Sequence, residues 1–534
     1  MTTVQKERLY IFDTTLRDGA QTTGVDFSVE DKRQIALVLD KLGVDYVEGG
    51  WPGANPTDTA FFAAPPALTR ARFTAFGMTK RSGRSAANDP ALAQVLDSGA
   101  PAVCLVGKSW DFQVDVALEI PRSENIDNIA RSIEAAAARG EAMLDAEHFF
   151  DGYKSNPQYA LDCVKAALDA GARWLVLCDT NGGTMPEDVY RIVSEVKAKL
   201  PQARLGIHAH NDTGQAVAVS LAAIRGGARQ LQGTLNGLGE RCGNANLCTL
   251  LPNLMLKEPF ASRFETGVGS EQLARITHVS RLLDEILNRA PARHAPYVGP
   301  SAFAHKGGLH SSAVLKDPTT YEHVKPESVG NVRVIPVSDQ SGRANVLARL
   351  KEVGIALEPR DPRVSRLLED IKQREFQGYA YDGAEASFEL LARRALGQVP
   401  DYFTVDSYRV SVERRRDGHE FVSESEAVVR LKVAGKKIHS VGSGNGPVNA
   451  LDAALRKDLG KYSSYLQDLR LVDFKVRILT SGTEAITRVM VESADGKGNR
   501  WSTVGLSENI VDASFEALTD SITYKLLRDS AQVG

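Results

Sequence analysis

The sequence predicts an α/β protein that begins with a (β/α)8 barrel. Eight strand-like apolar segments alternate with amphipathic helices over about 260 residues, the usual length of such a barrel. Distinctive polar residues follow the ends of these strands, where barrel enzymes place their sites. From about residue 401 the pattern changes to alternating strands, and one segment recurs. We therefore predict a barrel in residues 1–270, a helical linker region in 271–400 and an α+β domain with an internal repeat in 401–534.

The length and composition indicate a soluble protein with more than one domain. A chain of 534 residues exceeds the size at which a single core stops growing. Its formal net charge of −3 gives no basic excess for nucleic acid or an anionic membrane, and no apolar run is long enough to span one. The five cysteines are unpatterned and are interpreted as reduced thiols, and no apolar signal segment follows Met1. We expect a cytoplasmic protein that binds neither nucleic acid nor membrane.

The predicted strands follow one another along the first half of the chain. They cover residues 9–12, 46–48, 72–76, 102–106, 142–146, 174–178, 205–207 and 230–234. Ser28 is expected to cap the first helix, with Asp31 at the capping-box position, and this helix extends to Leu42. A doubly wound open sheet would also alternate strands and helices, so the alternation alone leaves that architecture open.

Polar residues at the predicted strand ends form a set that a barrel would bring to one rim. His208 and His210 are two positions apart after the seventh strand, so their side chains point to the same face. The other members are Arg17, Asp18, Glu48, Glu147, Asp179, Thr180, Glu240, Arg241 and Asn244. Because the carboxyl ends of barrel strands meet at one rim, we predict a single site there. For Glu240 and Arg241, a structural ion pair that holds the last loop is as good an interpretation as a role in this site.

Four of these residues suit a divalent metal ion. Asp18, His208 and His210 provide three ligands, and Asn244 adds an amide oxygen. This mixture of oxygen and nitrogen ligands is compatible with magnesium, manganese, zinc or cobalt. A 2-oxo acid would chelate open positions through its carboxylate and ketone oxygens, and the metal would polarise the ketone. The alternative is an ordinary strand end with two partly exposed histidines.

The remaining rim residues have predicted roles around such a substrate. Arg17, beside Asp18, is placed to stabilise an oxyanion, although the two residues could also form only a surface ion pair. Thr180 and Glu48 are assigned to substrate binding, with the Thr180 hydroxyl on the substrate carboxylate. Glu147 is the candidate base that deprotonates a weak carbon acid, or else a solvated acid of a loop.

The C-terminal part of the chain carries an internal repeat. Residues 441–455 align without gaps on residues 504–518, which lie 63 positions later. Two copies fit one small domain of strand–strand–helix units, since a solenoid needs at least three repeats. Gly442, Gly444 and Gly446 superficially resemble a phosphate-binding loop, but we interpret them as tight turns before a helix.

Three separated motifs closely resemble the family of α-isopropylmalate synthases, homocitrate synthases and citramalate synthases. They are Phe12-Asp-Thr-Thr-Leu-Arg-Asp-Gly-Ala-Gln21, His208-Ala-His-Asn-Asp212 and Asn236-Gly-Leu-Gly-Glu-Arg-Cys-Gly-Asn244. The resemblance covers essentially the whole chain, because the C-terminal repeat is similar to the regulatory dimer domain of that family. It implies a Claisen condensation, in which enolised acetyl-CoA attacks the ketone of a metal-bound 2-oxo acid and the thioester is then hydrolysed.

The resemblance also implies roles for individual residues. The metal positions of the family match Asp18, His208, His210 and Asn244, its oxyanion arginine matches Arg17, and its oxo-acid contact matches Thr180. His310 matches a catalytic histidine and Tyr321 a tyrosine that works with it; in the family both reach the active site of the partner subunit, so a homodimer is expected. Many relatives carry an aspartate two residues after that histidine, where this chain has Ser312. His305 is expected to be structural, and segment 301–312, which is rich in glycine and histidine, to be non-helical.

Three further stretches resemble the branch that condenses acetyl-CoA with pyruvate to (R)-citramalate, on a threonine-independent route to isoleucine. They are residues 51–55, 107–112 and 147–153. Trp110, Phe149 and Phe150 would fill space beside the small methyl group, although one methylene in an apolar pocket discriminates by only about 1–3 kcal/mol. By the same resemblance, the C-terminal domain would bind isoleucine as a feedback inhibitor.

Other activities remain open from the sequence alone. An α-isopropylmalate synthase would take 2-oxoisovalerate in place of pyruvate, and a homocitrate synthase would take another 2-oxo acid. A barrel aldolase or lyase would use the same metal to cleave a carbon–carbon bond. The repeat domain by itself would also fit an amino-acid sensor, but a sensor has no use for the rim residues.

Overall fold

The computed structural model describes residues 5–338, 340–417, 420–480 and 485–532. The described chain divides into two compact units. The first contains the chain up to Phe303 together with Val324–Val332, and the second contains Ala304–His323 and the chain from Arg333 onward. No helix of the described residues is long and apolar enough to cross a bilayer.

Eight parallel strands close into a barrel in the first unit. They are β1 (Tyr10–Asp13), β2 (Tyr46–Gly50), β3 (Arg72–Met78), β4 (Ala102–Lys108), β5 (Glu141–Glu147), β6 (Trp174–Asp179), β7 (Leu205–Ala209) and β8 (Gln230–Gly233). Each strand pairs with the next, and β8 returns to β1 with Gln230 opposite Tyr10 and Gly233 opposite Asp13. The closed ring confirms the predicted barrel and excludes an open doubly wound sheet.

Helices connect the strands and cover the outside of the barrel. Those of seven or more residues are α1 (Val29–Leu42), α2 (Pro56–Ala63), α3 (Pro90–Leu96), α4 (Arg122–Ala137), α5 (Phe149–Ser155), α6 (Pro157–Asp169), α7 (Pro186–Lys199), α8 (Ala216–Gly226), α9 (Leu247–Leu256) and α10 (Ile276–Ile286). The predicted capping box of α1 is present, because Ser28 accepts the N–H of Asp31 and Asp31 accepts the N–H of Ser28. This helix ends where predicted, before Gly43 in the left-handed conformation (φ 98°).

The barrel separates two apolar cores because successive side chains on a strand face opposite sides. The core inside the barrel includes Phe12, Tyr46, Cys104, Met143 and Trp174. The core between strands and helices includes Ile11, Val47, Leu105, Leu144 and Leu175. Removing apolar surface from water contributes about 25 cal/mol per Å², so both cores stabilise the ring that carries the site. Toward the carboxyl ends of the strands the inward rows become polar; Asp145, for example, follows Met143 by two positions.

The second unit begins with helices. They are α11 (Gly308–Lys316), α12 (Arg343–Glu352), α13 (Pro362–Gln377) and α14 (Glu385–Ala395). The prediction that segment 301–312 is non-helical is wrong for its second half, since α11 starts at Gly308. Gly307 is the N-cap residue of this helix, and Gly308 lies in the first turn, where N–H groups have no intrahelical partner.

The C-terminal part contains two three-stranded antiparallel sheets, each followed by a helix. The first copy is β9 (Thr404–Asp417), β10 (Glu420–Val433), β11 (Lys436–Gly444) and α15 (Pro447–Lys457). The second is β12 (Arg470–Ile478), β13 (Thr487–Ala494), β14 (Arg500–Ser507) and α16 (Ile510–Arg528). The predicted internal repeat is confirmed, with three strands in each copy in place of the two expected.

Glycines at equivalent positions of the two copies let a strand approach a helix. A Cβ on Gly442 would lie 2.3 Å from the backbone N of Ala454, and one on Gly505 would lie 2.0 Å from the backbone O of Ala513. Gly442 and Gly444 belong to β11, so the interpretation as tight turns is wrong for them. Their role is the close contact of β11 with α15, which any side chain would prevent.

Helix α14 belongs to the region predicted as linker but packs on C-terminal elements of the same unit. Ser387 Oγ donates to Asp520 Oδ2 at 3.1 Å and accepts the N–H of Val504 at 3.0 Å. A truncation near residue 400 would therefore remove the partners of this helix. The three predicted domain boundaries stay predictions.

Candidate active site

Three buried side chains converge at the rim of the barrel. His208 lies in β7 and His210 just beyond it, and their Nε2 atoms are 3.3 Å apart. Asp18, in the loop after β1, brings Oδ2 to 3.2 Å from His208 Nε2. One ligand atom from each residue lies within 4.8 Å of the other two. The structure thus brings together three of the predicted metal ligands, at a spacing that one cation can span.

Two further buried residues orient His208. Its Nδ1 lies 2.7 Å from Gln232 Oε1, and Gln232 Nε2 donates to Asp145 Oδ1 at 2.9 Å. An ionised carboxylate only accepts hydrogen bonds, so Asp145 fixes the orientation of the Gln232 amide. Although burial opposes it, the adjacent Asp18 raises the pKa of His208, so a metal ion at Nε2 competes with a proton. The amide oxygen of Gln232 only accepts, so Nδ1 of His208 carries a hydrogen and the neutral imidazole has its lone pair on Nε2. This is the tautomer that a metal ligand needs, held by an outer hydrogen bond.

Asn244 adds the fourth predicted ligand to the cluster. Its Nδ2 donates to Asp18 Oδ2 at 2.9 Å and lies 3.2 Å from His208 Nε2. Among the described residues, Asn244 Oδ1 and Asp18 Oδ1 are buried without a hydrogen-bond partner. Buried oxygens without partners are costly, and a cation would satisfy Asp18 Oδ1. The two imidazoles and the carboxylate therefore fit a divalent cation. Asn244 presents Nδ2 to the cluster, so its amide would have to rotate by 180° to offer Oδ1 as a fourth ligand.

Burial and neighbouring charges set the protonation of these ligands. Burial and, after it, the nearby His208 together lower the pKa of His210 to about 3, so the His210 imidazole is neutral at pH 7. Burial alone would raise the pKa of Asp18, but Arg17 and then His208 hold it well below its ordinary value. Both groups are thus in the state that binds a metal ion, neutral imidazole and ionised carboxylate.

Arg17 is fixed from several sides. Its Nε donates to Glu48 Oε2 at 2.8 Å, and its guanidinium carbon lies 3.9 Å from the centre of the Phe76 ring. Thr14 Oγ1 also donates to Glu48 Oε2, at 2.5 Å, and Arg17 Nη1 lies 3.4 Å from Asp18 Oδ2. Glu48 is fully buried and does not line the cavity, so these contacts indicate that it orients Arg17. Its predicted contact with substrate stays a prediction.

Thr180 lies at the same rim, directly after β6. Its Oγ1 accepts the N–H of His148 at 2.8 Å, which leaves the hydroxyl hydrogen to donate to a substrate carboxylate. Arg241 donates to the carbonyl oxygen of Thr180 at 2.7 Å and to both oxygens of Asp212 at 2.8 and 2.9 Å. Glu240 is 3.5 Å from Arg241, so the main ion pair of Arg241 is with Asp212 and not with its sequence neighbour. Arg241 thereby ties together the loops after β6, β7 and β8.

A cavity of about 600 Å³ opens above the cluster. Glu147, at the end of β5, lines it and forms an ion pair with Lys108, at the end of β4. The aromatic part of the lining comes from Phe27, Trp51 and Phe76. The candidate base therefore faces the cavity, next to a lysine that the sequence did not single out.

The three aromatic residues predicted beside the substrate methyl group, Trp110, Phe149 and Phe150, do not line this cavity. Phe149 and Phe150 are fully buried in the core between strands and helices. His148, with φ of 54°, reverses the chain directly before α5, and both rings then pack between that helix and the barrel. The prediction that they shape the substrate pocket is wrong.

His310 and Tyr321 lie together in the second unit. Their rings stack, with centroids 4.3 Å apart and planes 29° apart, and both residues are exposed. His305 Nε2 lies 3.2 Å from Glu322 Oε1, which also accepts from Arg333 at 2.6 Å. These contacts hold the His305 ring in place, in agreement with the structural role expected for it. The contribution of His310 and Tyr321 to catalysis stays a prediction.

Several residues of the site were missed in the sequence. Gln232 carried a signal, because Gln230 and Gln232 alternate in an otherwise apolar barrel strand and so face the interior. Asp145 is likewise an acid within a buried strand. Phe76 and Lys108 gave no signal, since their roles depend on which strand lies beside them.

Three family profiles match consecutive parts of the chain. HMGL-like matches residues 8–279, the homocitrate synthase post-HMGL domain matches 297–378, and the LeuA allosteric (dimerisation) domain matches 382–526. The fold, the rim site and these matches define an HMGL-like barrel enzyme with a LeuA-type C-terminal domain.

Relatives that match nearly the whole chain show which family within this class of enzymes the chain resembles most. The (R)-citramalate synthase of Aquifex aeolicus is 50% identical over 531 residues, which is 98% of this chain and 99% of that protein. The (R)-citramalate synthase of Geobacter sulfurreducens is 49% identical over 97% of each chain. A probable 2-isopropylmalate synthase of Methanopyrus kandleri is 32% identical, over 97% of this chain and 98% of that one. The chain belongs to the (R)-citramalate synthase family.

Proposed function

We propose that this protein condenses acetyl-CoA with pyruvate to give (R)-citramalate and CoA. Five relatives named (R)-citramalate synthase, 42–50% identical over 97–98% of the chain, carry this proposal. In the reaction the acetyl methyl carbon loses a proton and bonds to C2 of pyruvate, whose ketone oxygen becomes a hydroxyl group. Water then cleaves the thioester and releases CoA as a thiol.

The barrel residues provide binding and charge stabilisation for the condensation. Asp18, His208, His210 and Asn244 would hold a divalent cation, which supplies Lewis acidity toward the ketone. Arg17 places a fixed positive charge beside the oxygen on which negative charge develops, and Glu48 and Phe76 limit its movement. Thr180 donates its hydroxyl hydrogen to the carboxylate of pyruvate, which orients the ketone toward the cluster.

Proton transfer is assigned to residues of both units. Glu147 faces the cavity and accepts a proton from the acetyl methyl group, and Lys108 beside it stabilises the carboxylate before transfer. His310 and Tyr321 act later, through a partner subunit of a homodimer. Their exposure on one chain and the match to a dimerisation domain support this assignment.

Regulation is assigned to the C-terminal domain. We infer that it binds isoleucine and lowers activity, because the profile that matches residues 382–526 is an allosteric domain. Allostery requires that isoleucine change the affinity or turnover at a separate site. Isoleucine is titrated into the intact dimer with leucine as control, while CoA release is followed. Inhibition by leucine alone would contradict the assignment.

Thiol release tests the reaction directly. CoA appearance is measured with pyruvate, 2-oxobutyrate and 2-oxoisovalerate, in the presence of magnesium or manganese, and the product is identified by mass and optical configuration. We expect the highest kcat/KM with pyruvate and no CoA release without an oxo acid. Higher kcat/KM with 2-oxoisovalerate would contradict the proposal and favour a 2-isopropylmalate synthase.

A further inference from the structure

A cavity of about 420 Å³ lies at the end of the barrel where the strands begin, opposite the metal cluster. Tyr10 and Trp174, the first residues of β1 and β6, form part of its wall. The charged residues of its lining are one acid and four cations: Glu7, Arg8, Lys197, Arg204 and Arg229. The whole chain has a formal net charge of −3, so this cavity concentrates positive charge against the sign of the protein.

Carboxylates neutralise two of the four cations. Arg229 donates to Glu7 Oε2 through Nε at 2.8 Å and through Nη2 at 2.5 Å. Arg8 Nη2 donates at 2.5 Å to Oδ1 of Asp45, the residue directly before β2. These ion pairs account for two of the four positive charges of the lining.

The other two cations are Lys197 and Arg204, which form no ion pair within the part of the chain that the structure describes. Lys197 Nζ donates to the carbonyl oxygens of Pro201 and Ala203, at 2.7 and 2.8 Å. These oxygens hold the ammonium group in place but carry no net charge. Burial and, after it, the nearby Arg229 lower the pKa of Lys197. Since Ala203 is bonded to Arg204, two uncompensated positive charges lie close together in the lining.

The barrel fixes the backbone that carries the arginines of this cavity. The N–H of Leu175 donates to the carbonyl oxygen of Arg204 at 2.9 Å, directly before β7. The N–H of Arg229 donates to the carbonyl oxygen of Leu205 at 2.8 Å. A site on ordered backbone binds its ligand with a smaller loss of entropy. His208 follows Arg204 by four residues, about 13 Å along β7, so the cavity is separate from the metal cluster.

We propose that this cavity binds a phosphate dianion, free or as the terminal group of a small metabolite, with Lys197 and Arg204 as its main donors. Two uncompensated positive charges match the double negative charge of a phosphate group. Ammonium and guanidinium groups only donate hydrogen bonds, and phosphate oxygens accept them strongly. The volume lies in the range of small-molecule sites, roughly 300–1,000 Å³, so an organic part fits beside Tyr10 and Trp174.

Calorimetric titration of the full-length, metal-loaded enzyme tests the site. Inorganic phosphate and ribose 5-phosphate are the probes, and pyruvate is present in excess so that the metal is occupied. K197M/R204Q should bind both probes about tenfold more weakly than the wild type, because it keeps the bulk of both side chains and removes their charges. Tighter binding of ribose 5-phosphate than of inorganic phosphate would identify a phosphate ester as the ligand, and the reverse order would identify free phosphate.

K41M/R70Q is the matched control. Lys41 is in the last turn of α1, as Lys197 is in that of α7, and the exposed Arg70 lies two residues before β3. Neither residue lines the cavity, so this variant loses the same two charges at the same end of the barrel and should bind both probes within about twofold of the wild type. Equal weakening in the two double variants, or no binding of either probe to the wild type up to about 10 mM, would overturn the proposal.

R204E tests the site without removing the contacts of Lys197. The Arg204 side chain is exposed, so its replacement should leave the fold intact, and the added negative charge should abolish binding of both probes. Phosphate should raise the Tm of the wild type and not that of R204E. Unchanged phosphate affinity in R204E would contradict the assignment. CoA release without phosphate should be the same in R204E as in the wild type. The titrations need no turnover, so if no oxo acid yields citramalate, only the proposed reaction falls.

Discussion

His208 Nδ1 lies 2.7 Å from Gln232 Oε1, and this contact determines which nitrogen of His208 faces Asp18. A histidine without it would exchange between two tautomers, only one of which presents a lone pair to a cation at Nε2. Gln232 is in turn held by Asp145. The affinity of the rim for a metal ion therefore depends on a residue that touches neither metal nor substrate.

Replacing Gln232 by leucine should weaken metal binding about 10- to 100-fold, the usual effect of losing an outer partner of a ligating histidine. Cobalt or manganese titration of the metal-free protein measures this, and activity at saturating metal should largely recover. Gln230→Leu is the matched control, since Gln230 also faces the barrel interior but contacts Met143. Equal loss of affinity in both variants would mean that the effect is general disruption of the strand.

Removal of a direct ligand should have a larger effect. His208→Ala and His210→Ala should each lose bound metal, measured by elemental analysis after dialysis, together with activity. Chelation with EDTA should inactivate the wild type, and added manganese or magnesium should restore it. Full activity of either variant after exhaustive chelation would show that these residues are not metal ligands.

Arg17→Lys should lower kcat about 100-fold or more while metal affinity stays close to wild type. Lysine keeps the charge but cannot lie flat on Phe76 while donating through Nε to Glu48, so the charge is no longer held beside the ketone. The expected size is that of losing one oxyanion donor. Steady-state kinetics and metal titration are measured on the same preparation. A loss of metal with the loss of turnover would assign Arg17 to the metal site instead.

Thr180→Val removes a hydroxyl group at nearly constant volume. We expect the KM for pyruvate to rise about tenfold, because the carboxylate loses a donor and the N–H of His148 loses its acceptor. Thr180→Ser keeps the hydroxyl and should restore most of the affinity. If the serine variant is as impaired as the valine variant, the methyl group and not the hydroxyl matters.

Asp13 should make the stability of the barrel depend on pH. Burial and, to a smaller extent, the charge of Glu48 together raise the pKa of Asp13 to about 7, although two hydrogen bonds from Thr15 partly oppose them. An aspartate in an unfolded chain has a pKa of about 3.9, so between pH 4 and 7 the folded state binds more protons. Stability from this group is therefore present at low pH and is lost as pH rises through about 7.

Asp13→Asn tests this dependence. The amide cannot ionise, so the apparent Tm of the metal-saturated variant should fall less between pH 5 and pH 8 than that of the wild type. A difference of 1 kcal/mol corresponds to about 2–4 °C for a domain of this size. Parallel Tm profiles for the two proteins would show that Asp13 does not titrate in this range.

The residues at the rim of the site could be predicted from two rules. Residues two positions apart in a strand face the same side, and a closed barrel brings the carboxyl ends of its strands together. His208 and His210 share a face, and the barrel brings Asp18 to them. Contacts between side chains on different strands could not be predicted. Gln232 and Asp145 are 87 positions apart and meet only inside the closed ring. The rings of Phe149 and Phe150 are in the core between strands and helices and not at the cavity, and they follow His148, whose positive φ no composition indicates.

In the C-terminal domain, too, the sequence predicted the pattern of the chain but not the contacts between its elements. The repeat was visible because two copies of one segment keep their spacing. The role of its glycines could not be predicted. Gly442 and Gly505 are required because helix backbone lies too close to them for a Cβ atom, and not because of a turn. A glycine pattern by itself does not distinguish a turn from a close contact.

The contacts of Arg241 affect how the loops at the rim of the barrel can move. It holds Asp212 and the carbonyl oxygen of Thr180 from a backbone with φ of 56°, a conformation that costs a non-glycine residue about 1–3 kcal/mol unless its contacts impose it. We therefore expect the loops after β6, β7 and β8 to open together. Amide hydrogen exchange should therefore show the three loops as one cooperative unit. Loss of the bidentate ion pair between Arg241 and Asp212 should raise the exchange rates of all three loops together.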